Sequence, residues 1–283
     1  MTFETMRALV VDAPDAPFHW ADLPMPQAGP GEVLVRIHAS GVNPLDTKIR
    51  AGAADHARHP LPAVLGMDLA GVVEQVGPGV TEFVRGDEVW AMAGGVAGVQ
   101  GSMAQFAAVD ARLLAKKPAN LSMRQAAALP LAIITAWEGM VDIANVQPAD
   151  KVLVIGGAGG VGHVALQIAR ARAAQTFGVD SGAAAEYLKS IGTVAIDRNT
   201  PVDAYVEEFT DGLGFDVVYD CVGALDTAFK AVRKFGKVTS SLGWGTYSLG
   251  PLSFRSASYA GVFTLRPLLS GEGRQRSEER RVE

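Results

Sequence analysis

The sequence predicts an α/β protein with a β-rich first part and a parallel α/β sheet in its second part. Three observations lead to this expectation. Short β-forming runs separated by Gly and Pro turns fill the first third of the chain. Strand and helix patterns alternate from residue 151 onward, and a glycine-rich turn joins the first strand of that region to its first helix. The length of 283 residues is compatible with two domains.

The composition is that of a folded, mildly acidic protein. Hydrophobic residues make up 48% of the chain, and the net charge of −5 is unlike that of nucleic-acid binders. The single cysteine, Cys221, excludes an internal disulfide and a cysteine-based zinc cluster. The longest nearly apolar run, residues 126–137, is too short to span a bilayer, and the first residues lack a signal-peptide pattern. We therefore expect a cytoplasmic protein without a membrane partner.

The first third is predicted to form a small barrel or sandwich. Its β-forming runs are short and are separated by turn clusters such as the one at residues 27–31. Many short strands joined by Gly and Pro turns are typical of these folds. The predicted strands cover residues 7–12, 32–39, 70–76, 87–92 and 104–109.

The second part is predicted to alternate between strands and helices. Residues 120–140 are rich in alanine and are expected to be helical, with Ser122 as the N-cap. From residue 151 the alternation predicts a parallel sheet. The predicted strands cover residues 151–156, 175–179, 193–196, 215–220 and 237–242. The predicted helices cover residues 160–173, 183–190, 202–209 and 225–234.

Between the strand at 151–156 and the helix that follows lies a G-x-G-x-x-G motif, in the context that dinucleotide binding requires. The first glycine permits a tight turn, the second lets the backbone approach a pyrophosphate, and the third lets the helix pack close to the strand. We predict a dinucleotide cofactor here, the alternative being a glycine-rich turn without a ligand. The candidate residues are Gly157, Ala158, Gly159, Gly160, Val161 and Gly162.

A dinucleotide site also needs an acidic residue at the end of the second strand to bind the ribose hydroxyls. Asp180 stands 18 residues after Gly162, at the end of the predicted strand 175–179. Its carboxylate would repel a 2′-phosphate, so the sequence slightly favours NADH over NADPH. The alternative is that Asp180 only caps the following helix.

Several segments, in order along residues 5–266, resemble the medium-chain dehydrogenase/reductase superfamily in its zinc-independent quinone oxidoreductase branch. They are ASGVNPLD at 39–46, LGMDLAG at 65–71, VGPGV at 76–80, GDEV at 86–89, LP at 129–130, TAW at 135–137 and the glycine motif. The resemblance implies a GroES-like barrel for the substrate at 1–122, a Rossmann domain for the cofactor at 123–266, and an atypical charged tail at 267–283.

Zinc-dependent members of this superfamily carry cysteine at the position of Asn43 and His-Glu at the positions of Met67 and Asp68. Zinc takes thiolate, imidazole or carboxylate ligands, so the resemblance implies an enzyme without zinc. The pair His56 and His59 lies in a polar stretch with no third ligand nearby and is interpreted as part of a loop.

The resemblance also implies the residues that would act on substrate and cofactor. Asn43 and Asp46 would lie near the nicotinamide, and Lys48, where many members have tyrosine, could donate to a developing oxygen anion. Alternatively, Asn43 fixes a turn before Pro44 and Lys48 is a solvated surface lysine. Further candidate cofactor contacts are Thr135, Cys221 and Gly223. Thr135 could instead bond the backbone of its own helix, and Cys221 is expected to be a small core residue.

Together these features predict an NAD(P)H-dependent reductase of quinones, enones or related carbonyl compounds that works by metal-free hydride transfer. The alternatives are an alcohol dehydrogenase-like enzyme and a catalytically idle dinucleotide-binding protein. The segment 254–265 resembles the family's dimer edge, so we expect a homodimer. Relatives usually continue well beyond the position of Leu269, with a segment that completes the Rossmann sheet and returns to the barrel. We therefore expect this chain to be truncated, or read in a shifted frame at the charged run 271–283, and to be less stable and less active than a chain with the usual ending.

Overall fold

The computed structural model describes residues 4–272, which form two compact units. The first unit contains the chain up to Leu131 and again from Leu265 on, and the second contains Ala132–Thr264. Most of the predicted charged tail lies outside the described residues. No helix within 4–272 is long and apolar enough to cross a membrane.

The first unit is built from antiparallel β structure, as the short β-forming runs predict. One sheet has the strand order β2-β1-β4 and the other has the order β7-β3-β5-β6-β8. Alternate residues of β3 and β5, such as Val33, Val35, Leu69 and Val73, fill the core of the larger sheet. The strands are β1 Thr5–Val11, β2 His19–Pro24, β3 Glu32–Ser40, β4 Ala63–Val64, β5 Asp68–Val76, β6 Glu88–Met92, β7 Phe106–Asp110 and β8 Ala115–Lys116.

Short helices complete the first unit. Helix α1 (Pro44–Arg50) follows the Asn43 loop, and α2 (Met123–Ala127) packs on Ala70 of β5 through two buried alanines. Helix α3 (Pro130–Trp137) begins in this unit, and α9 (Arg266–Leu269) returns to it.

The second unit is a parallel sheet with the order β11-β10-β9-β12-β13-β14. This is the doubly wound Rossmann arrangement, in which the strand order reverses beside β9. The strands are β9 Lys151–Ile155, β10 Gln175–Asp180, β11 Val194–Asp197, β12 Phe215–Asp220, β13 Val232–Ser240 and β14 Ser258–Gly261. The helices are α4 Gly162–Ala171, α5 Ala185–Ser190, α6 Val202–Thr210, α7 Leu225–Ala231 and α8 Gly250–Ser253.

Both faces of this sheet are covered, which explains why its strands are nearly continuous apolar runs. Val152 and Val154 of β9 pack with Leu166 of α4 in one core cluster. Leu153 and Ile155 point to the opposite face and pack in a second cluster. The result is a rigid sheet whose carboxyl-end loops share one edge.

Strands β2, β4 and β8 were not predicted, and two predicted helices differ clearly from the structure. The predicted helix 120–140 is interrupted after Ala127, because Pro130 disfavours a helical conformation at the residue before it. It resumes as α3 and continues into a π-helical turn at Glu138–Ile143. The predicted helix 225–234 ends at Ala231, and β13 begins at the next residue with an irregular pairing to β12.

Candidate functional site

The glycine loop lies at the carboxyl end of β9 and is attached to the neighbouring strand β10. The backbone N–H groups of Gly156 and Gly157 donate to the carbonyl of Val179 at 2.9 and 3.1 Å. The next N–H, of Ala158, donates to the carboxylate of Asp180 at 2.9 Å. Consecutive backbone groups therefore fix the start of the loop against the end of β10.

The second half of the loop leads into α4 with a close backbone approach. A Cβ on Gly162 would lie 2.0 Å from the carbonyl oxygen of Gly156, so no other residue fits there. A Cβ on Gly160 would meet nothing within 4 Å, which leaves open space beside the loop. The first N–H groups of a helix have no acceptor within it and can bind phosphate. The loop therefore fits the pyrophosphate of a dinucleotide.

Asp180 links the glycine loop to the end of β10. One carboxylate oxygen accepts the N–H of Ala158, and the other accepts the N–H of Ser181 at 2.8 Å. A carboxylate offers about four acceptor positions, so capacity remains for ribose hydroxyls. The geometry thus suits the predicted role of Asp180.

A third loop at the same sheet edge follows β12 and contains Cys221 and Gly223. The N–H of Cys221 donates to the carbonyl of Ile155 at 3.0 Å, which places this loop beside the start of the glycine loop. Burial raises the pKa of the Cys221 thiol, which suits a core residue and not a nucleophile. The predicted contacts at 157–162, 180, 221 and 223 are thus brought to the ends of adjacent strands.

Asp220 organises this third loop and was not predicted as a site residue. Its fully buried carboxylate accepts the N–H groups of Val222, Gly223 and Ala224 at 3.1, 3.2 and 2.9 Å. It also accepts the hydroxyl of Ser240 at 2.8 Å. The signal that could have identified Asp220 in the sequence is its position at the end of an apolar predicted strand.

Thr135 lies on α3 and is buried in the second unit. Its Oγ1 is 3.4 Å from Oγ1 of Thr264, and its carbonyl accepts the hydroxyl of Tyr219 at 3.0 Å. Thr264, which was not among the predicted site residues, therefore lies beside Thr135 in the same buried region.

In the first unit, the loop before α1 is held by two carboxylates. The N–H of Asn43 donates to Asp46 at 2.8 Å, and the N–H of Gly66 donates to the other oxygen of Asp46 at 3.2 Å. Asp46 is 3% exposed, and burial raises its pKa. Because both oxygens accept backbone groups, Asp46 holds the loop in shape.

The side chain of Asn43 is held by Asp68, at the start of β5. Nδ2 of Asn43 donates to Asp68 at 3.0 Å, and the N–H of Leu131 in the first turn of α3 donates to both oxygens at 3.1 and 3.2 Å. Burial, reinforced by the charge of Asp46, raises the pKa of Asp68 to about 7, although these hydrogen bonds oppose the rise. Sequence reasoning missed this role, although an aspartate within an apolar run was visible.

Lys48 stands apart from this network. It is exposed on α1, and residues two positions apart on a helix point to different sides. The structure therefore brings Asn43 and Asp46 together and leaves Lys48 in solvent.

No group of three or more histidine, cysteine or acidic side chains suited to a metal occurs within residues 4–272. His59 accepts the N–H of Gly98 through Nδ1 at 3.1 Å. Met67, at the position of a zinc ligand in zinc-dependent members, is fully buried.

Comparison with known proteins identifies both units. The model of the alcohol dehydrogenase GroES-like domain matches residues 29–119, and that of the zinc-binding dehydrogenase family matches residues 160–272. A crystal structure of an alcohol dehydrogenase superfamily protein from Novosphingobium aromaticivorans is 56% identical, with a TM-score of 0.96 over 97% of this chain and 84% of that one. The chain belongs to this superfamily, so the predicted medium-chain dehydrogenase/reductase family and the predicted fold are confirmed.

Curated relatives include two plant reductases. The 2-methylene-furan-3-one reductase of Solanum lycopersicum is 41% identical over 77% of this chain. The chloroplastic NADPH-dependent alkenal/one oxidoreductase of Arabidopsis thaliana is 38% identical over 79% of it. The chain spans 56% and 58% of the lengths of these relatives.

The raised pKa of Asp68 predicts how the free energy of unfolding changes with pH. The folded protein keeps the proton up to about pH 7, whereas the unfolded chain releases it near 3.8, so ionisation of this group costs stability as the pH rises between these values. Asp68→Asn removes this titration, and its free energy of unfolding should exceed that of the wild type increasingly from pH 5 to 7. The full effect is at most about 4 kcal/mol.

Urea unfolding of both proteins at pH 5, 6, 7 and 8 measures this difference. Asp110→Asn is the control, because Asp110 also accepts a backbone N–H, from Arg112. Wild-type and Asp68→Asn stabilities that stay parallel across this range would contradict the prediction.

Proposed function

We propose that this protein is a nicotinamide-dependent oxidoreductase that reduces enones, quinones or related carbonyl compounds without a metal ion. The observation that carries the proposal is the glycine loop after β9, hydrogen-bonded through Ala158 to Asp180. Similarity to the furanone and alkenal/one reductases supports enones as the substrate class. The amide and thioether side chains of Asn43 and Met67, where zinc-dependent members carry zinc ligands, support metal-free chemistry.

When bound, the reduced nicotinamide supplies a hydride, which an enone accepts at the carbon β to its carbonyl. Negative charge then develops on the carbonyl oxygen, and the protein must stabilise it and deliver a proton. One of the two N–H groups on Nδ2 of Asn43 donates a hydrogen bond to Asp68. We assign the second N–H of Nδ2 as the hydrogen-bond donor to the oxygen anion that develops on the substrate. We assign to Lys48, which is exposed on α1 and lies outside the Asn43 network, the supply of positive charge and a proton to a bound substrate, and Asp46 keeps the loop in shape.

The cofactor is assigned to the second unit. Gly157–Gly162 hold the pyrophosphate, Asp180 binds the ribose, Thr135 contacts the carboxamide, and the backbone at Cys221 and Gly223 passes beside the cofactor. The carboxylate of Asp180 supports a modest preference for NADH, although one relative is named as NADPH-dependent.

We also propose a homodimer formed through the edge of the second unit. Within residues 4–272, β14 is the terminal strand of its sheet, and the outer edge of a terminal strand is a ready site for association. Phe254, just before this strand, is 89% exposed. A cytoplasmic location stays a prediction from the sequence.

The proposed activity is tested with a panel of substrates and both reduced cofactors. We expect turnover of a short alkyl vinyl ketone or a simple benzoquinone that persists after dialysis against a chelator. The control reaction is oxidation of a primary alcohol with NAD⁺. Alcohol oxidation that is lost on chelation would contradict the proposal, as would tight binding of NADH without turnover of any substrate.

The role of Asp180 is tested through the ratio of NADH to NADPH affinities. Asp180→Ser should narrow or reverse a preference for NADH, because it removes both the ribose acceptor and the charge that repels the 2′-phosphate. Fluorescence titration measures both dissociation constants. The control is Asp197→Ser, at the position opposite Asp180 on the adjacent strand β11. It shows how much the loss of a nearby negative charge alone changes the two affinities. A tenfold wild-type preference for NADPH would overturn the assignment.

The roles of Asn43 and Lys48 are tested by separating kcat from cofactor affinity. Asn43→Ala and Lys48→Ala should lower kcat more than NADH affinity, because the charge they contact develops only during the reaction. Losing one such donor costs on the order of 10²–10³ in rate. Lys234→Ala, an exposed lysine on β13, is the control. Normal turnover in both variants would assign Asn43 to a turn and Lys48 to the surface.

A further inference from the structure

Asp68 is a buried carboxylate whose partners come from two separate segments. It has no exposed surface, and it accepts Nδ2 of Asn43 and the N–H of Leu131. A charged group in such a place is costly, and neutral replacements of buried charges are often more stable. An acidic residue that only filled space at the start of β5 would therefore be a poor choice for stability.

The carboxylate determines which end of the Asn43 amide faces it. An ionised carboxylate only accepts hydrogen bonds, whereas an amide has a donor end and an acceptor end. At a pH where Asp68 is ionised, such as the pH 8 of the assay below, it therefore requires Nδ2 of Asn43, and not Oδ1, to point toward it. The N–H of Leu131 binds both oxygens of Asp68 and so fixes its carboxylate, and Asp46 fixes the backbone from which the Asn43 side chain extends.

We infer that Asp68 is a positioning residue for the reaction, which fixes the Asn43 amide so that its second N–H can meet the developing oxygen anion. This inference rests on the proposed function. An asparagine at 68 has nearly the same shape but only one acceptor oxygen, which is neutral and must be shared between Nδ2 of Asn43 and the N–H of Leu131. Asp68→Asn therefore weakens the fixed orientation while it keeps the packing.

A double-mutant cycle tests whether Asp68 acts through Asn43. The four proteins are the wild type, Asp68→Asn, Asn43→Ala and the double variant, assayed at pH 8 for kcat, KM and cofactor affinity. We expect Asp68→Asn to lower kcat roughly tenfold or more, by partial loss of a donor worth on the order of 10²–10³. Cofactor affinity should change by less than about twofold, because an interaction made only in the transition state does not contribute to ground-state binding.

The double variant should be no slower than Asn43→Ala alone, because Asp68 has nothing left to position. Effects that multiply in the double variant would overturn the inference. A wild-type kcat in Asp68→Asn would do the same. Asp110→Asn is again the matched control, and it should keep the wild-type kcat because Asp110 bonds Arg112 and not the Asn43 loop.

Stability is measured in the same samples, because a purely structural role predicts a different pattern. Asp68→Asn should be slower yet at least as stable as the wild type at pH 8. If Asp68→Asn does not fold, Asn43→Gln provides the test, since its longer side chain takes the amide out of register with Asp68. Wild-type kcat in Asn43→Gln would overturn the inference. A wild type without any turnover would instead be a failure of the proposed function, and the inference would fall with it.

Discussion

The candidate functional loops depend on one kind of interaction: an aspartate carboxylate that accepts backbone N–H groups at the end of a strand or helix. Such ends leave backbone donors without partners, and buried donors must be satisfied. Asp180 holds the glycine loop, Asp220 holds the turn after β12, and Asp46 holds the Asn43 loop. Each carboxylate removes conformational freedom from a loop that would otherwise be mobile, which keeps the site in shape before any ligand binds.

Within the second unit, the parallel sheet makes these interactions converge. Because β9, β10 and β12 are adjacent parallel strands, the loops that follow them lie at the same edge of the sheet, where the strand order reverses beside β9. Asp180 attaches the glycine loop to β10, and its carboxylate keeps acceptor capacity for the ribose that we propose it binds. A substitution of Asp180 therefore affects the position of the glycine loop as well as the proposed contact with the cofactor.

The fold was largely predictable because its signals are local. Apolar strands, amphipathic helices and the 157–162 motif each occupy a continuous stretch, and their order defines the sheet. The partners of Asp68 were not predictable, because Asn43 and Leu131 lie 25 and 63 residues away along the chain. The sequence assigned residues 123–131 to the second domain, whereas α2 packs on β5 of the first unit through buried alanines that carry no positional signal.

The fully buried carboxylates differ in how well their surroundings stabilise charge. Asp220 accepts three backbone N–H groups and a hydroxyl. Asp68 accepts from Asn43 and Leu131 and lies near the negative charge of Asp46, and its pKa is raised to about 7. The less favourable site for a charge is therefore the one that contacts Asn43, the residue assigned to the chemistry. Buried charges that reduce stability are concentrated at functional sites, because replacing them with better-packed neutral residues would remove the group that the reaction needs.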